Sequence, residues 1–274
     1  YEEMNQDLNR GNGPVQISGC MDSQKVHLME EAGERLRWKL VVTYDDSRAK
    51  EIYEDFKCFR NSVYLYPSRD LLFYTADIHG NLLTKQRLQV LKHLIEDDDG
   101  VVVTTLDGLM DHLLPLWAVK EQILTVKTGE AIDVERWKEL LVDLGYERMP
   151  QVDGMGQFSI RGGIIDVFPL TEELPFRIEL WDDEVDSIRT FDLESQRSVE
   201  QVEEAVLYPA TEQALKREQL KQGIDRIKEA GLKQEKLFRK QMKTEEAHRI
   251  FSIVKEFTEG LEQGFSVSGL DSYL

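Results

Sequence analysis

Cysteine is nearly absent: Cys20 and Cys58 are the only two in 274 residues. Two thiols with no CxxC pairing build neither a disulfide scaffold nor a structural zinc site, so a reducing compartment is the natural one. The five histidines, His27, His79, His93, His112 and His248, are scattered, and none is paired at metal-ligand spacing. Cations are scarce too. Lys and Arg number 34 against 52 Asp and Glu, a net charge of −18. Phosphate affinity depends on local positive charge, so a chain this acidic is a poor general binder of DNA or RNA. No apolar run approaches the roughly 18–20 residues that span a bilayer. The polar, acidic stretch Tyr1–Pro14 is unlike a secretory signal. These absences point to a cytoplasmic protein that uses no membrane, metal or cofactor. What is present is a globular composition, 41% hydrophobic and 31% charged, in a length suited to two or three domains.

Tyr1–Pro14 reads as a flexible lead-in, because Asn9 to Pro14 is almost wholly chain breakers. An α/β rhythm then begins. Val15–Gly19, Lys39–Thr43, Val63–Tyr66 and Val101–Thr105 read as strands, with Lys39–Thr43 and Val101–Thr105 buried. Ser23–Arg37, Arg48–Phe59, Asn81–Glu96 and Gly108–Leu114 read as the helices between them, with Asp46 or Ser47 capping the second. Alternation of this kind predicts a mostly parallel sheet covered on both faces. The rhythm changes near Pro115. Ile123–Val126 reads as a strand and Asp133–Leu144 as a helix capped by Asp133. Gln157–Ile160, Gly163–Phe168, Phe176–Trp181 and Val185–Phe191 then read as an antiparallel meander. Thr211–Glu262 is charged and helical, broken at Gly231 and Gly260. Its candidate inner positions are Leu215, Leu220, Ile224, Ile227, Leu232, Leu237, Phe238 and Met242, and packing on the α/β domain is favoured over a short coiled coil. The expected domains are therefore an α/β domain at 15–122, an α+β domain at 123–209 and a helical segment at 210–274.

The first strand and helix carry a near-match to the phosphate loop G-x-x-x-x-G-K-[ST]. Gly19 and Lys25 are in place, but Gln24 stands where the second glycine belongs and Val26 where a hydroxyl would meet Mg²⁺. Asp22 adds a charge of the same sign as a phosphate. Alone, this is an ordinary strand–helix turn. Cys20 is expected to be a buried structural cysteine. Asp107, after the strongest strand, is expected to cap a helix, and Asp182-Asp183-Glu184 to be a solvated turn. The meander says more. Alternation puts Phe176, Ile178 and Leu180 on one face of their strand, and Arg177, Glu179 and Trp181 on the other. Trp and Arg are enriched at interface hot spots. Arg161, from the preceding strand, is placed to stand alongside. Two readings remain: an interface, or local pairing with Arg177 on a neighbouring acid and Trp181 under a loop.

Phe158–Pro169, Pro175–Asp192 and Ser195–Ser198 form a long, distinctive signature, beginning Phe-Ser-Ile-Arg-Gly-Gly-Ile-Ile-Asp-Val-Phe-Pro. It closely resembles the UvrB-like N-terminal module of the bacterial transcription-repair coupling factors (Mfd). Tyr66–Asp70, Gln86-Arg87-Leu88, the degenerate loop Gly19–Val26 and the end Gly269–Leu274 are also similar to that family. The resemblance covers most of Val15–Pro209. It implies a helicase-like α/β domain whose phosphate loop has lost its function, interrupted by an inserted UvrA-binding α+β domain and then resumed. It implies UvrA as partner, met by two arginines and an aromatic that fall on Arg161, Arg177 and Trp181. The aromatic is commonly Phe, so Trp181 departs from the family. The implied role is recruitment in nucleotide excision repair without chemistry. RNA polymerase and DNA are implied to be met through domains outside this chain, which is expected to be an N-terminal fragment. The alternative is a nucleotide-dependent, UvrB-like DNA-binding helicase domain.

Overall fold

A computed structural model describes residues 6–8, 10–11, 13–32, 36–68, 77–96, 98–111, 113–212 and 217–262. The chain divides into two units, Tyr1–Asp111 and His112–Leu274. It is a mixed α/β protein with one parallel sheet, antiparallel sheets and several helices. Among the described residues, no helix is long and apolar enough to cross a membrane.

The first unit runs α1 (Asp22–Ala32), β1 (Trp38–Thr43), α2 (Asp46–Lys57), β2 (Val63–Tyr66), α3 (Asp77–Ile95), β3 (Gly100–Thr105) and α4 (Leu106–Met110). Among the described residues its three strands are all parallel, in the order β1-β3-β2. β3 lies in the middle and is buried throughout, as its β-branched run predicts. Val101 and Val103 pack with Val26, Ala49, Ile52 and Phe56 on one side. Val102 packs with Tyr66 and Val90 on the other.

Several expectations need correction here. Residues 13–21 form no strand, and Val15 and Ile17 are exposed. Strand propensity without a ladder partner is too weak to hold a strand. Lys39–Thr43 is an edge strand rather than a buried one, because Leu40 and Val42 are exposed. Asp45, not Asp46 or Ser47, caps α2 by accepting from the Arg48 backbone N–H at 2.7 Å. Thr105, not Asp107, caps α4, accepting from the Gly108 N–H at 3.1 Å. The helix expected over Gly108–Leu114 ends at Met110.

The second unit begins with α5 (Leu116–Lys120), β4 (Leu124–Lys127) and α6 (Val134–Asp143). β5 (Glu147–Arg148), β6 (Gln157–Arg161), β7 (Ile164–Phe168), β8 (Phe176–Trp181), β9 (Glu184–Phe191) and β10 (Ser198–Val202) follow. They form a six-stranded sheet in the order β10-β9-β8-β7-β6-β5, antiparallel except for the β5–β6 pair. β11 (Glu204–Leu207) returns to pair with β4. One sheet face is apolar. Phe158, Ile165, Val167, Ile178 and Ile188 are fully buried there, in one core with Trp137 and Leu141 of α6. Asp133 caps α6 by accepting from the backbone N–H groups of Glu135 and Arg136. Asp133→Ala is expected to lower stability by about 1 kcal/mol, the usual worth of an N-cap, in a urea unfolding experiment.

The last two helices, α7 (Arg217–Lys240) and α8 (Thr244–Glu262), form a hairpin turned at Gln241–Lys243. Its core is Leu220, Ile224, Ile227, Val254 and Leu261. Gly231 does not break the helix. A Cβ there would lie 2.6 Å from Val254, so glycine permits the close approach of α8. Gly260 also lies inside a helix, α8. Leu232, Leu237 and Met242, expected inside, are exposed. Leu215 lies outside the described residues.

Candidate functional site

The sheet face opposite the core is charged, and register explains why. In the meander Ser159 pairs with Asp166, and Asp166 with Arg177. Arg177 pairs in turn with Arg189. Residues two apart on a strand share a face, so Arg161, Glu179, Ser187 and Trp181 join that row. The expected alternation holds: Phe176 and Ile178 enter the core, Leu180 packs at its edge, and Trp181 is 81% exposed.

Asp166 lies at the centre. Its side chain is 1% exposed and accepts from two arginines. Arg177 donates through Nε to Oδ1 at 2.7 Å and through Nη2 to Oδ2 at 2.9 Å, a bidentate fork. Arg161 donates through Nη2 to the same Oδ2 at 2.7 Å. The arginines differ in what remains of them. Arg177 also donates to the Gln196 carbonyl at 3.3 Å and to Gln196 Oε1 at 3.2 Å, and its guanidinium stacks 4.3 Å from the centroid of the Phe191 ring. Its side chain is 15% exposed, while that of Arg161 is 46% exposed. The hydrogen bonds to Asp166 hold the Arg177 guanidinium charge more firmly, raising its pKa. Beside this clamp, Glu179 accepts from Ser187 Oγ at 3.1 Å and pairs with Arg189 at 3.5 Å.

Turns hold the strand ends. Gly162 has φ +60°, the left-handed conformation that suits the first central residue of a two-residue hairpin turn. At Gly163 a Cβ would meet the Leu180 carbonyl at 2.9 Å, and that close approach locks the end of β8 against the turn. Arg161 and Trp181 end β6 and β8, which run in the same direction with β7 between them, so both stand at one end of the sheet. Gln196, at φ 57°, closes a turn begun by Asp192. Asp192 Oδ1 accepts from Ser195 N at 2.9 Å and Ser195 Oγ at 2.6 Å. These bonds, the side-chain one foremost, hold the Asp192 carboxyl below its ordinary pKa. A depressed carboxylate stabilises the turn above the ordinary carboxylate range, and the effect is lost as pH falls through the lowered value. Ser195→Ala is expected to move the Asp192 titration upward in an NMR pH series.

The degenerate loop has a different character. Gly19 has φ +80° and is exposed. Gln24 Oε1 accepts from the Met21 N–H at 3.1 Å. Lys25 donates to Asp22 at 2.9 Å, and Arg48 pairs with the same carboxylate at 2.9 Å. The Lys25 hydrogen bond and then Arg48 hold the Asp22 pKa low. Val26 is buried in the core. Cys20 is half-buried rather than buried, and both cysteines are free thiols. Asp182, Asp183 and Glu184 are exposed, as expected of a solvated turn. Among the described residues, one group brings potential metal ligands together. One ligand atom from each of His93, Glu96 and Asp98 lies within 4.8 Å of the others, at and just beyond the end of α3.

Residues 124–213 match the UvrB interaction domain family. The chain is 34% identical over 230 residues to a transcription-repair-coupling factor of Staphylococcus aureus strain Mu50. That match covers 82% of the chain. A second such factor, from Staphylococcus haemolyticus, is 34% identical over 205 residues, or 74% of the chain.

The chain is related to the transcription-repair-coupling factors.

It spans about a fifth of the length of these coupling factors, 20% of the first and 18% of the second. The region matching the interaction domain contains Arg161, Asp166, Arg177 and Trp181, while Gly19 to Val26 lie outside it. The fold brings Arg161 and Arg177 together on one carboxylate and leaves Trp181 apart from them, four residues beyond Arg177 on β8. Sequence reasoning passed over Asp166, Arg189, Phe191 and Gln196. A signal for Asp166 was available: an acid between Ile165 and Val167 in an apolar strand needs a cationic partner.

Proposed function

We propose that this chain is a recruiting module of a transcription-repair-coupling factor, which binds UvrA through the charged face of its meander and performs no chemistry itself. One observation carries the reading. Within the stretch that matches the UvrB interaction domain, a buried carboxylate organises two arginines while a tryptophan stands 81% exposed at the end of the strand that carries Arg177. A large aromatic left in water on the same sheet as ordered guanidinium groups is costly for a monomer and useful to an interface. Arg161, Arg177 and Trp181 form the proposed contact set. In this reading the inserted domain interrupts a helicase-like α/β domain that residues 210–274 resume. The work serves nucleotide excision repair coupled to transcription, in the cytoplasm. RNA polymerase and DNA are met by parts of the coupling factors outside the matched fifth. Size-exclusion chromatography of the chain with purified UvrA tests the reading. Co-elution is expected, and separate elution of two folded proteins would overturn it.

A second reading, a nucleotide-dependent helicase-like domain, draws on a groove of about 590 Å³ lined in part by Gly19, Cys20, Lys25 and Arg48. Three features oppose it. Asp22 already occupies both cations, Val26 offers no hydroxyl to a metal, and no strand leads into the loop. ATP is therefore expected to show no saturable binding, and Lys25→Ala to leave a fluorescent-nucleotide titration unchanged. Saturable binding lost in Lys25→Ala would favour this second reading instead.

A further inference from the structure

The two arginines of the clamp are not equivalent. Arg177 engages Nε, Nη1 and Nη2, stacks on Phe191 and is 15% exposed. A guanidinium held on every nitrogen has little left to offer a partner. Arg161 makes one side-chain hydrogen bond among the described residues, through Nη2, and is 46% exposed. Four of its five N–H donors remain for something outside the chain. Both arginines depend on one acceptor, and Asp166 Oδ2 takes a hydrogen bond from each.

Building on the proposed UvrA-binding role, we propose that Asp166 is the positioning residue of this surface: within the contact set it fixes Arg177 as the largely covered, supporting member and holds Arg161 out as the guanidinium that engages a partner carboxylate. The chemistry of the partner follows from charge. One carboxylate between two guanidinium groups leaves this triad itself at +1, in a chain of −18 and with the exposed Asp182, Asp183 and Glu184 following Trp181. An acidic side chain is the group a half-exposed guanidinium receives best, because the two match in shape and charge. Trp181, at the same end of the sheet, supplies the apolar contact beside that ion pair. Asp166 does not touch the partner. It acts by limiting where Arg161 points, which lowers the ordering cost of the complex.

A double-mutant cycle on UvrA affinity tests this. Arg161→Ala and Asp166→Asn are each expected to weaken binding about tenfold, and the double variant no further than Arg161→Ala alone. If Asp166 merely props the sheet, its effect adds to that of Arg161→Ala and follows the loss of thermal stability, and the proposal is wrong. Arg161→Lys provides a readout that does not depend on Asp166→Asn folding. A lysine keeps the charge but not the fork, so its affinity is expected to fall nearly as far as that of the alanine variant. Wild-type affinity with lysine would contradict aimed recognition. Side-chain ¹⁵N NMR of the chain alone separates the positioning from the partner. Arg161 Nη2 is expected to show hindered rotation that Asp166→Asn releases. Free rotation in the wild type would overturn the positioning whether or not UvrA binds, whereas hindered rotation without UvrA binding would overturn only the partner.

Discussion

Trp181→Ala is expected to weaken UvrA binding thirtyfold or more while leaving the fold unchanged. Truncating a hot-spot aromatic typically costs about 2 kcal/mol or more, and each 1.4 kcal/mol is tenfold in affinity. The side chain is 81% exposed, so little packing is lost with it. Exposed substitutions of this kind usually stay within about 0.5 kcal/mol in stability. The same exposure makes the result interpretable, because a fall in affinity cannot be traced to unfolding. Surface biosensing of UvrA binding measures the first quantity and urea denaturation the second. Trp181→Phe, which keeps an aromatic ring at this position, is expected to recover most of the affinity. Wild-type affinity in Trp181→Ala would remove this residue from the contact set.

Arg177→Ala is expected to behave in the opposite way and to destabilise the second unit by about 3 kcal/mol. Removing one partner of a buried ion pair leaves an uncompensated charge, at a cost of roughly 3–5 kcal/mol. Asp166 is 1% exposed and would lose two charge-assisted hydrogen bonds. The remaining Arg161 contact keeps the effect at the lower end of that range. Arg161→Ala is expected to cost less than about 1 kcal/mol, since its 46% exposed side chain is screened by water. Chemical denaturation of the two variants side by side measures the difference. Equal stabilities would show that the arginines share the load, against the geometry of the clamp. This contrast also guides mutagenesis: a binding defect in Arg177→Ala carries weight only when folding has been measured in the same preparation.

The sequence told most where patterns were local and strongly periodic. Val101–Thr105 reads as a buried strand from its β-branched run, and the alternation of Phe176 to Trp181 assigns both faces of β8. The Asp133 cap was legible because an acid directly precedes an amphipathic run. What failed depended on long-range partners. Val15–Gly19 has the composition of a strand but no ladder to join, and residues 13–21 form none. β10 went unrecognised because its five residues, Ser198-Val199-Glu200-Gln201-Val202, are mostly exposed, and an edge strand needs no strict apolar alternation. Gly231 reads as a helix breaker in one dimension, and only the approach of Val254 turns it into a packing feature. The candidate site was half legible. Arg177 and Trp181 could be placed on one face by counting residues. That Arg161 shares Asp166 with Arg177 is a matter of register between β6, β7 and β8, which the turns fix and which alternation within one strand does not show.

The most direct measurement of the central claim is a calorimetric titration of purified UvrA into the wild-type chain, with circular dichroism on the same sample to verify folding. Saturable binding at micromolar affinity or tighter is the predicted result. A folded chain that gives no saturable heat with UvrA would contradict the account.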